Sequence, residues 1–316
     1  MSVTPQTGTT DVAFGWRLLD VVIAAKQKLG KGAGRFGSLL MLLPGLALVS
    51  LLTAGLVLLF VRSLHTFDPF LFQQGPLSLE NYREVLDSPL VRETFVRTVM
   101  MAFITTTIAI AIAMPLAYVM TRTRSRVVRL LILVVIFLPI LTGDIARAYG
   151  WLVLLGREGL LSAVIGGDPQ LLGTLWAVGI GTVQILIPLS VVILLPAFQR
   201  VDPQLEQAAA SLGARSSMAW RKVILPLVRP GIAGAAAVCI TISMTEFATP
   251  TLLGMGVRDY VANLVQSVVL GRDNVFLGSA IGLSLLVVVM AMVTIILLVG
   301  QRGRAARAAS AGGSAR

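Results

Sequence analysis

The stretch EQAAASLGARSSMAWRKVILPLVRPG, Glu206–Gly231, separates two of the most hydrophobic runs of the chain. It is short and basic, and Asp202 and Pro203 precede it. Asp is a favoured helix N-cap and Pro a favoured first helical residue, so a helix is expected to begin there. A basic, helix-forming segment between two apolar runs indicates that the runs cross a membrane and that the segment contacts something on one side of it.

The composition places the chain among membrane proteins. Of its 316 residues, 56% are hydrophobic and 13% are charged, and the mean hydropathy is +0.87. A soluble domain has roughly 45–50% apolar and about 25% charged residues. Apolar windows long enough to cross a hydrocarbon core of ~30 Å recur along the chain. They predict an all-α bundle of six spans at residues 39–61, 98–120, 130–152, 174–196, 231–253 and 277–299.

The charge distribution predicts the orientation. With the N-terminus in the cytoplasm, four segments face that side and hold 18 of the 26 Lys and Arg residues but only 4 of the 15 acidic residues. These segments are residues 1–38, 121–130, 197–230 and 300–316. The asymmetry is a strong positive-inside pattern. The net charge of +11 therefore reflects topology, and nucleic acid is not an expected partner.

Both ends of the chain are expected to be cytoplasmic. Residues 1–38 form a basic extension, either an amphipathic helix on the membrane surface or a disordered tail. The first apolar run starts too late and is too long for a cleaved signal peptide, so it is interpreted as a retained first span. Residues 300–316 form a basic tail.

The residue inventory argues against catalysis by this chain. His65 is the only histidine and Cys239 the only cysteine, so Ser-His or Cys-His catalysis lacks a base and no cysteine metal site can form. The Gly-rich run at residues 30–38 follows no strand, and no GxxxxGK[ST] phosphate loop occurs. We therefore expect no metal, no bound cofactor and no ATP hydrolysis by the chain itself.

The polar interval is expected to hold two short helices. Apolar or small residues at i, i+3, i+4 and i+7 give the first helix one apolar face, formed by Leu205, Ala208, Ala209 and Leu212. Gly213 is its expected stop. The second helix is placed at Ser216–Leu225, ending at Pro226, with a turn at Pro230 into the fifth span. Such a pair either fits a groove in another protein or only links two spans.

The pattern Ala-Ala, three residues, Gly, and then Leu-Pro about a dozen residues later resembles the EAA loop of ABC importer permeases. Ala208, Ala209, Gly213, Leu225 and Pro226 occupy its positions. The chain departs from the pattern at two places. Gln207 stands where the family has glutamate, with Glu206 one place earlier, and Val223 stands where isoleucine is usual. Either Glu206 or Gln207 then takes the place of the usual carboxylate toward the ATPase subunit.

The resemblance extends over residues 40–300. LLPGLALVSLL, LSLENYREVL, FLPIL and EFATPTLLG are similar to the spermidine/putrescine-type branch of these permeases. It implies a type I importer-like bundle whose coupling loop, residues 197–230, meets the ATPase. It also implies a bacterial inner-membrane complex with a second homologous permease, two copies of an ATP-binding subunit that uses ATP and Mg²⁺, and a periplasmic solute-binding protein. Alternating access would then move a small cationic solute, a polyamine being favoured.

Polar residues inside the spans are candidates for a substrate path, because ionisable groups there are costly. Glu246 lies about 22 Å from the cytoplasmic end of the fifth span at ~1.5 Å per residue. Pro250, with Thr245 and Thr249 nearby, indicates a helix broken around a polar site. Glu246 either attracts a cationic amine or makes a structural bond, to the partner subunit for example.

The third span contributes further candidates. Asp144 and Arg147 are spaced to pair with each other, and substrate contact by Asp144 is the alternative. Tyr149 and Trp151 either line the path through cation–π contacts or belong to an outer aromatic belt. Another solute, such as an opine, an aminophosphonate or an amino acid derivative, fits the same features. A stand-alone secondary transporter fits the hydropathy but leaves the coupling loop without a role.

Overall fold

A computed structural model of the chain describes residues 36–68, 73–165 and 170–313. Most of the expected N-terminal extension, residues 1–35, lies outside the described residues. The chain divides into two units, Met1–Leu58 and Leu59–Arg316. The helix α1, Phe36–Ser63, contains the first apolar window. The second unit contains the other helices and a two-stranded sheet.

After α1, the elements follow in this order: β1 His65–Asp68, β2 Gln73–Leu77, α2 Glu80–Asp87, α3 Pro89–Arg122, α4 Arg126–Leu141, α5 Asp144–Leu155, α6 Leu160–Ile165, α7 Leu175–Gln199, α8 Pro203–Ser211, α9 Ser216–Ala219, a π-helical turn Trp220–Ile224, α10 Leu225–Thr245, α11 Ala248–Leu253, α12 Val261–Gln266, a second π-helical turn Ser267–Gly271, and α13 Val275–Gly313. Among the described residues, five helices are long and apolar enough to span a membrane, and the bent pair α4–α5 makes a sixth if counted as one span. The expected all-α, six-span fold is confirmed.

The third expected span, residues 130–152, contains a sharp bend. The helix α4 ends at Leu141, α5 begins at Asp144, and the two are bent by 106°. Thr142 between them has an extended backbone with ψ of 132°. The span therefore turns sharply halfway along its length.

Local chemistry explains this bend. Pro139, within the last turn of α4, has no backbone N–H to donate to the helix. At the end of α4, the carbonyl oxygens of Pro139 and Thr142 accept hydrogen bonds from Nη1 of Arg147 at 3.2 and 3.4 Å. A break inside a membrane is tolerated where such groups find partners within the protein.

The expected second short helix, Ser216–Leu225, does not end at Pro226, and no turn occurs at Pro230. The chain is helical from Ser216 to Thr245. The π-helical turn Trp220–Ile224 comes directly before α10, so Pro226, which has no N–H to donate, follows a point where the regular α-helical hydrogen-bond pattern is already interrupted. The fifth span thus begins within the coupling loop and is continuous with it.

The spans pack closely through small residues. In α3, Ala109, Ala113 and Ala117 recur every four residues and are completely buried. Ala113 and Ala117 lie in one cluster with Leu194 and Phe198 of α7. Because apolar burial gives little driving force in lipid, small residues that let helices approach are the usual means of association.

Hydroxyl groups add polar links between the spans. Thr105 of α3 and Ser243 of α10 lie 3.0 Å apart, oxygen to oxygen. Cys239 of α10 is fully buried with its Sγ 3.1 Å from Oγ of Ser190 in α7. These contacts are consistent with the packing role that the sequence predicts for the cysteine.

Candidate functional site

The first helix of the coupling loop begins and ends as its sequence predicts. The carboxylate of Asp202 accepts a hydrogen bond from the backbone N–H of Gln204 at 2.8 Å, and Pro203 opens α8. At the other end, Gly213 has φ of +79°, the left-handed conformation that stops the helix. The N–H of Ala214 donates to the carbonyl of Ala209 at 3.0 Å and closes the turn.

The surface of α8 is largely uncovered. None of its residues is buried, and 44% of Leu205 and 88% of Leu212 are exposed. Gln207 and Ala208 are exposed as well, whereas Ala209 is half-buried. The motif residues Leu225 and Pro226 are half-buried at the start of α10. Most of this helix, including Leu205 and the adjoining Leu212, is left uncovered by the described residues and is free to contact another protein.

Glu206 is turned toward its own chain. Its Oε1 accepts hydrogen bonds from Nε and Nη2 of Arg122 at 2.9 and 2.6 Å, and its Oε2 accepts one from the hydroxyl of Tyr118 at 2.7 Å. Both side chains of the ion pair are about four-fifths buried. Gln207, at the motif position, is exposed. Its backbone carbonyl accepts a hydrogen bond from the hydroxyl of Ser211. Of the two candidates, Glu206 is thus engaged within the permease.

The fifth span breaks at Glu246, as its sequence predicts. The helix α10 ends at Thr245, Glu246 is extended with ψ of 131°, and α11 begins at Ala248. The Glu246 side chain is buried, and its Oε1 accepts hydrogen bonds from N and Oγ1 of Thr249 at 3.3 and 2.8 Å. No hydrogen bond from the described residues reaches Oε2. One carboxylate oxygen caps α11 and the other is available.

A second segment holds the break in place. Nδ2 of Asn263, in α12, donates to the carbonyl of Phe247 at 3.1 Å and to Oγ1 of Thr251 at 2.6 Å. The N–H of Val261 donates to Oγ1 of Thr98 in α3 at 3.1 Å. Side chains of α12 and α3 therefore attach the segment that follows the break to the rest of the bundle.

Tyr260 lies beside this break. It is completely buried, near Thr182 and within electrostatic reach of Glu246. Its hydroxyl makes no hydrogen bond of regular geometry to the described residues. Burial raises the pKa of Tyr260 above its ordinary value, and the nearby Glu246 carboxylate adds to the shift. The hydroxyl therefore stays protonated and can donate.

Gly181 of α7 lies close to two of the candidate path residues, Thr249 and Trp151. A Cβ at this position would lie 2.7 Å from Cγ2 of Thr249, 2.9 Å from Leu253 and 3.9 Å from Trp151. Any side chain at this position would force Thr249 or Leu253 to shift, so glycine allows the close approach of α7 to the break. The indole N–H of Trp151 donates to Oε1 of Gln184 at 3.3 Å. An open, mainly apolar pocket of about 580 Å³ begins at these two residues and continues to Met101 and Trp176.

The structure therefore brings together three of the six candidate path residues, Glu246, Thr249 and Trp151. Thr245 is exposed, and its hydroxyl donates to the carbonyl of Thr241 at 2.9 Å. Tyr149 is 53% exposed. The expected pair is present, with Nη2 of Arg147 2.5 Å from Oδ1 of Asp144.

Sequence reasoning missed the residues that support the site from other elements. They are Thr98, Thr182, Gly181, Gln184, Tyr260 and Asn263. One signal was present: Asn263 is a single amide within the apolar run VANLV, and a polar side chain in such a run usually binds a backbone group. The others are ordinary span residues until the tertiary structure brings them together.

Comparison with known proteins gives the family. No family model matches the chain. The spermidine/putrescine transport system permease protein PotB of Haemophilus influenzae is 31% identical over 243 residues, which are 75% of this chain and 84% of that protein. The inner membrane ABC transporter permease protein YdcU of Escherichia coli is 29% identical over 268 residues, 77% of this chain and 85% of that protein.

A solved structure shows the same fold. It is the crystal structure of a bacterial alginate ABC transporter in complex with an alginate pentasaccharide-bound periplasmic protein, with one chain of which this chain has a TM-score of 0.66 at 15% identity. The match covers 92% of this chain and 96% of that chain. Together with the EAA-like coupling loop and the identity to PotB, it shows that the chain belongs to the ABC transporter permease family that includes the spermidine/putrescine permeases.

Proposed function

We propose that the chain is the membrane-spanning subunit of an ATP-driven importer for a small cationic solute, with a polyamine favoured. The observation that carries the importer function is α8, a capped helix none of whose residues is buried by the described part of the chain, in a sequence 31% identical to PotB. The fold alone does not determine the solute, because the transporter for alginate, an acidic polysaccharide, shares it.

The partners follow from the family. We infer a second homologous permease, two ATP-binding subunits that hydrolyse ATP with Mg²⁺, and a periplasmic binding protein that delivers the solute. The permease itself binds no cofactor in this scheme. Docking of an ATP-binding subunit on α8, with Leu205 and Leu212 among its contacts, would cover the apolar surface that the chain leaves exposed.

Coupling follows from the continuity of the coupling loop with the fifth span. Closure of the ATP-binding subunits displaces α8, and the uninterrupted helix from Ser216 to Thr245 carries that displacement toward the break at Glu246. The spans then alternate between openings to the two sides of the membrane, by rigid-body rocking. ATP drives the change because the subunits bind the two states with different affinity.

The solute assignment rests on the free Oε2 of Glu246. A buried carboxylate within electrostatic reach of a Tyr hydroxyl is suited to an ammonium group, which its negative charge attracts. An anionic solute would be repelled there. Glu246, Thr249 and Trp151 are the residues of this chain that we assign to the path.

Co-purification is the experiment that tests the function. The tagged permease, extracted from its native membrane, is expected to bring down an ATP-binding subunit with a GxxxxGK[ST] loop and a second permease. The assembled complex in liposomes, with its binding protein, is expected to take up spermidine or putrescine only when ATP is supplied. A chain that transports alone, driven by an ion gradient, would contradict the proposal.

The orientation is tested by reporter fusions. A reporter inserted after Ser125 or after Gly213 is expected to report a cytoplasmic position, and one after Gly256 a periplasmic position, because the basic segments remain on the cytoplasmic side. All three sites lie in turns between helices. Alkaline phosphatase and green fluorescent protein fusions report the two sides independently. Phosphatase activity at Gly213 would reverse the topology and remove the coupling role of α8.

A further inference from the structure

Arg122, the last residue of α3, forms a junction between three segments. Its guanidinium donates twice to Oε1 of Glu206 and, through Nη2, to the carbonyl of Val201 at 2.9 Å. The hydroxyl of Tyr118 occupies the other oxygen of Glu206. We call these four residues, Tyr118, Arg122, Val201 and Glu206, the clamp. It joins the end of the second span, the end of the fourth and α8.

The clamp rests on an aromatic cluster. The ring of Tyr118 lies 6.1 Å from that of Phe198 and 5.8 Å from that of Trp220, centroid to centroid. Phe198 is completely buried at the end of α7, and Trp220 begins the π-helical turn. The guanidinium carbon of Arg122 is 5.8 Å from the centroid of the Tyr118 ring. Residues that precede and follow α8 in the coupling loop, Phe198 and Trp220, therefore meet at Tyr118.

The geometry of the Arg122–Glu206 pair differs from that of a surface ion pair. The pairs Arg83–Asp87 and Arg97–Glu93 each lie within one helical turn and have a largely exposed acidic partner. The pair Arg122–Glu206 joins positions 84 residues apart, and both side chains are largely buried. Hydrogen bonds between charged groups that are partly removed from water are stronger than exposed ones. Since no residue of α8 is buried, the clamp is its polar attachment to the bundle.

We propose that Glu206 is a positioning residue that couples α8 to the second span, and not the residue that contacts the ATP-binding subunit. With the clamp intact, a displacement of α8 moves the ends of α3 and α7 with it. Without the clamp, the turns at residues 200–202 and 212–215 absorb part of that displacement. The inference rests on the proposed importer function, and it assigns the outward position of the motif to the uncharged Gln207.

The test separates coupling from docking. In the reconstituted complex, Glu206→Gln and Arg122→Gln are each expected to lower solute uptake per ATP hydrolysed by about three- to tenfold, the upper end corresponding to ~1.4 kcal/mol. Recovery of the ATP-binding subunit and the basal rate of ATP hydrolysis should not change. Arg124→Gln, which removes an exposed charge two residues away, is the matched control and should keep the native ratio.

A double-mutant cycle distinguishes a shared role from two separate ones. If Glu206 and Arg122 act through each other, the double variant loses no more coupling than the worse single variant. Tyr118→Phe, which keeps the ion pair and removes one hydrogen bond, should lose less than either. Additive losses, or loss of the ATP-binding subunit from Glu206→Gln alone, would overturn the proposal.

A distance measurement tests the clamp without relying on transport. With the buried Cys239 replaced by Ala, spin labels at positions 125 and 211 should give one narrow distance distribution in the complex. Glu206→Gln should broaden it, and Gln207→Ala should not. An unchanged distribution in Glu206→Gln would refute the clamp. If the native chain recovers no ATP-binding subunit at all, it is the importer function that fails.

Discussion

Replacing Gly213 with valine is expected to lower solute uptake by roughly ten- to a hundredfold while the permease still inserts into the membrane. Gly213 has φ of +79°, and a β-branched residue in that region is strained by about 1–3 kcal/mol. A Cβ there would meet no atom within 4 Å, so the strain is confined to the backbone. The turn relaxes by changing the direction in which α8 leaves the bundle, and the docking surface is displaced.

The reduction in solute uptake should be large because coupling depends on the position of α8. At about 1.4 kcal/mol per factor of ten, strain of this size lowers the population of the competent loop by roughly ten- to a hundredfold. Recovery of the ATP-binding subunit should fall together with uptake. Both are measured on the same preparation, with the amount of inserted permease as reference.

The matched control for this variant is Gly213→Asn. Asparagine tolerates the left-handed conformation better than other residues with a side chain, so uptake should remain near the native value. The two side chains are similar in size, and the surroundings of Gly213 are open. Native uptake by Gly213→Val would show that the loop only links two spans.

The parts of the fold that were predicted correctly are those fixed by local chemistry. Asp202 caps α8 through its own side chain, and Gly213 stops the helix because its backbone permits a positive φ. The break at Glu246 follows in the same way from a polar residue close to Pro250 in an apolar run. Each of these features depends on residues within about five positions of one another, so the sequence pattern is sufficient.

The parts that were not predicted depend on distant partners. At the bend in the third span, Arg147 binds the backbone carbonyls of Pro139 and Thr142 at the end of α4, and hydropathy alone does not show it. The helix through Pro226 and Pro230 requires a π-helical turn, which no propensity indicates. Glu206 matches the motif poorly by alignment, and its attachment to Arg122 becomes visible only once α3 and α8 are adjacent.

The coupling loop and the candidate path lie at opposite ends of one helix. Residues 216–245 connect the aromatic cluster at Trp220 with the broken segment at Glu246, and Gly231 lets this helix approach Ala197 closely. A rigid connection of this kind predicts that substitutions at the two ends differ in effect. Those at the loop reduce the association of the ATP-binding subunit or its coupling to transport, whereas those at the break reduce solute passage in an assembled complex.

Glu246→Gln is expected to lower uptake of a cationic solute by roughly ten- to a hundredfold, or about 1.4–2.7 kcal/mol. The amide oxygen of glutamine can still accept the two hydrogen bonds from Thr249, so the cap of α11 is retained and only the charge is lost. A unit charge 4 Å away contributes at most about 4 kcal/mol at an effective dielectric of ~20. Uptake at saturating binding protein is the measurement, with complex recovery determined on the same preparations.

Two controls assign the loss to charge in the path. Glu246→Asp keeps the charge on a shorter side chain and should lose less uptake than Glu246→Gln. Thr249→Val removes the hydroxyl donor to Glu246 and keeps the backbone donor, so it tests the cap separately from the charge. If the carboxylate is purely structural, Glu246→Gln yields a poorly assembled complex that has lost basal ATP hydrolysis as well. If it faces the solute, the assembled complex hydrolyses ATP and fails to deliver the cation, because the attraction that offsets desolvation of the ammonium group at the break is gone.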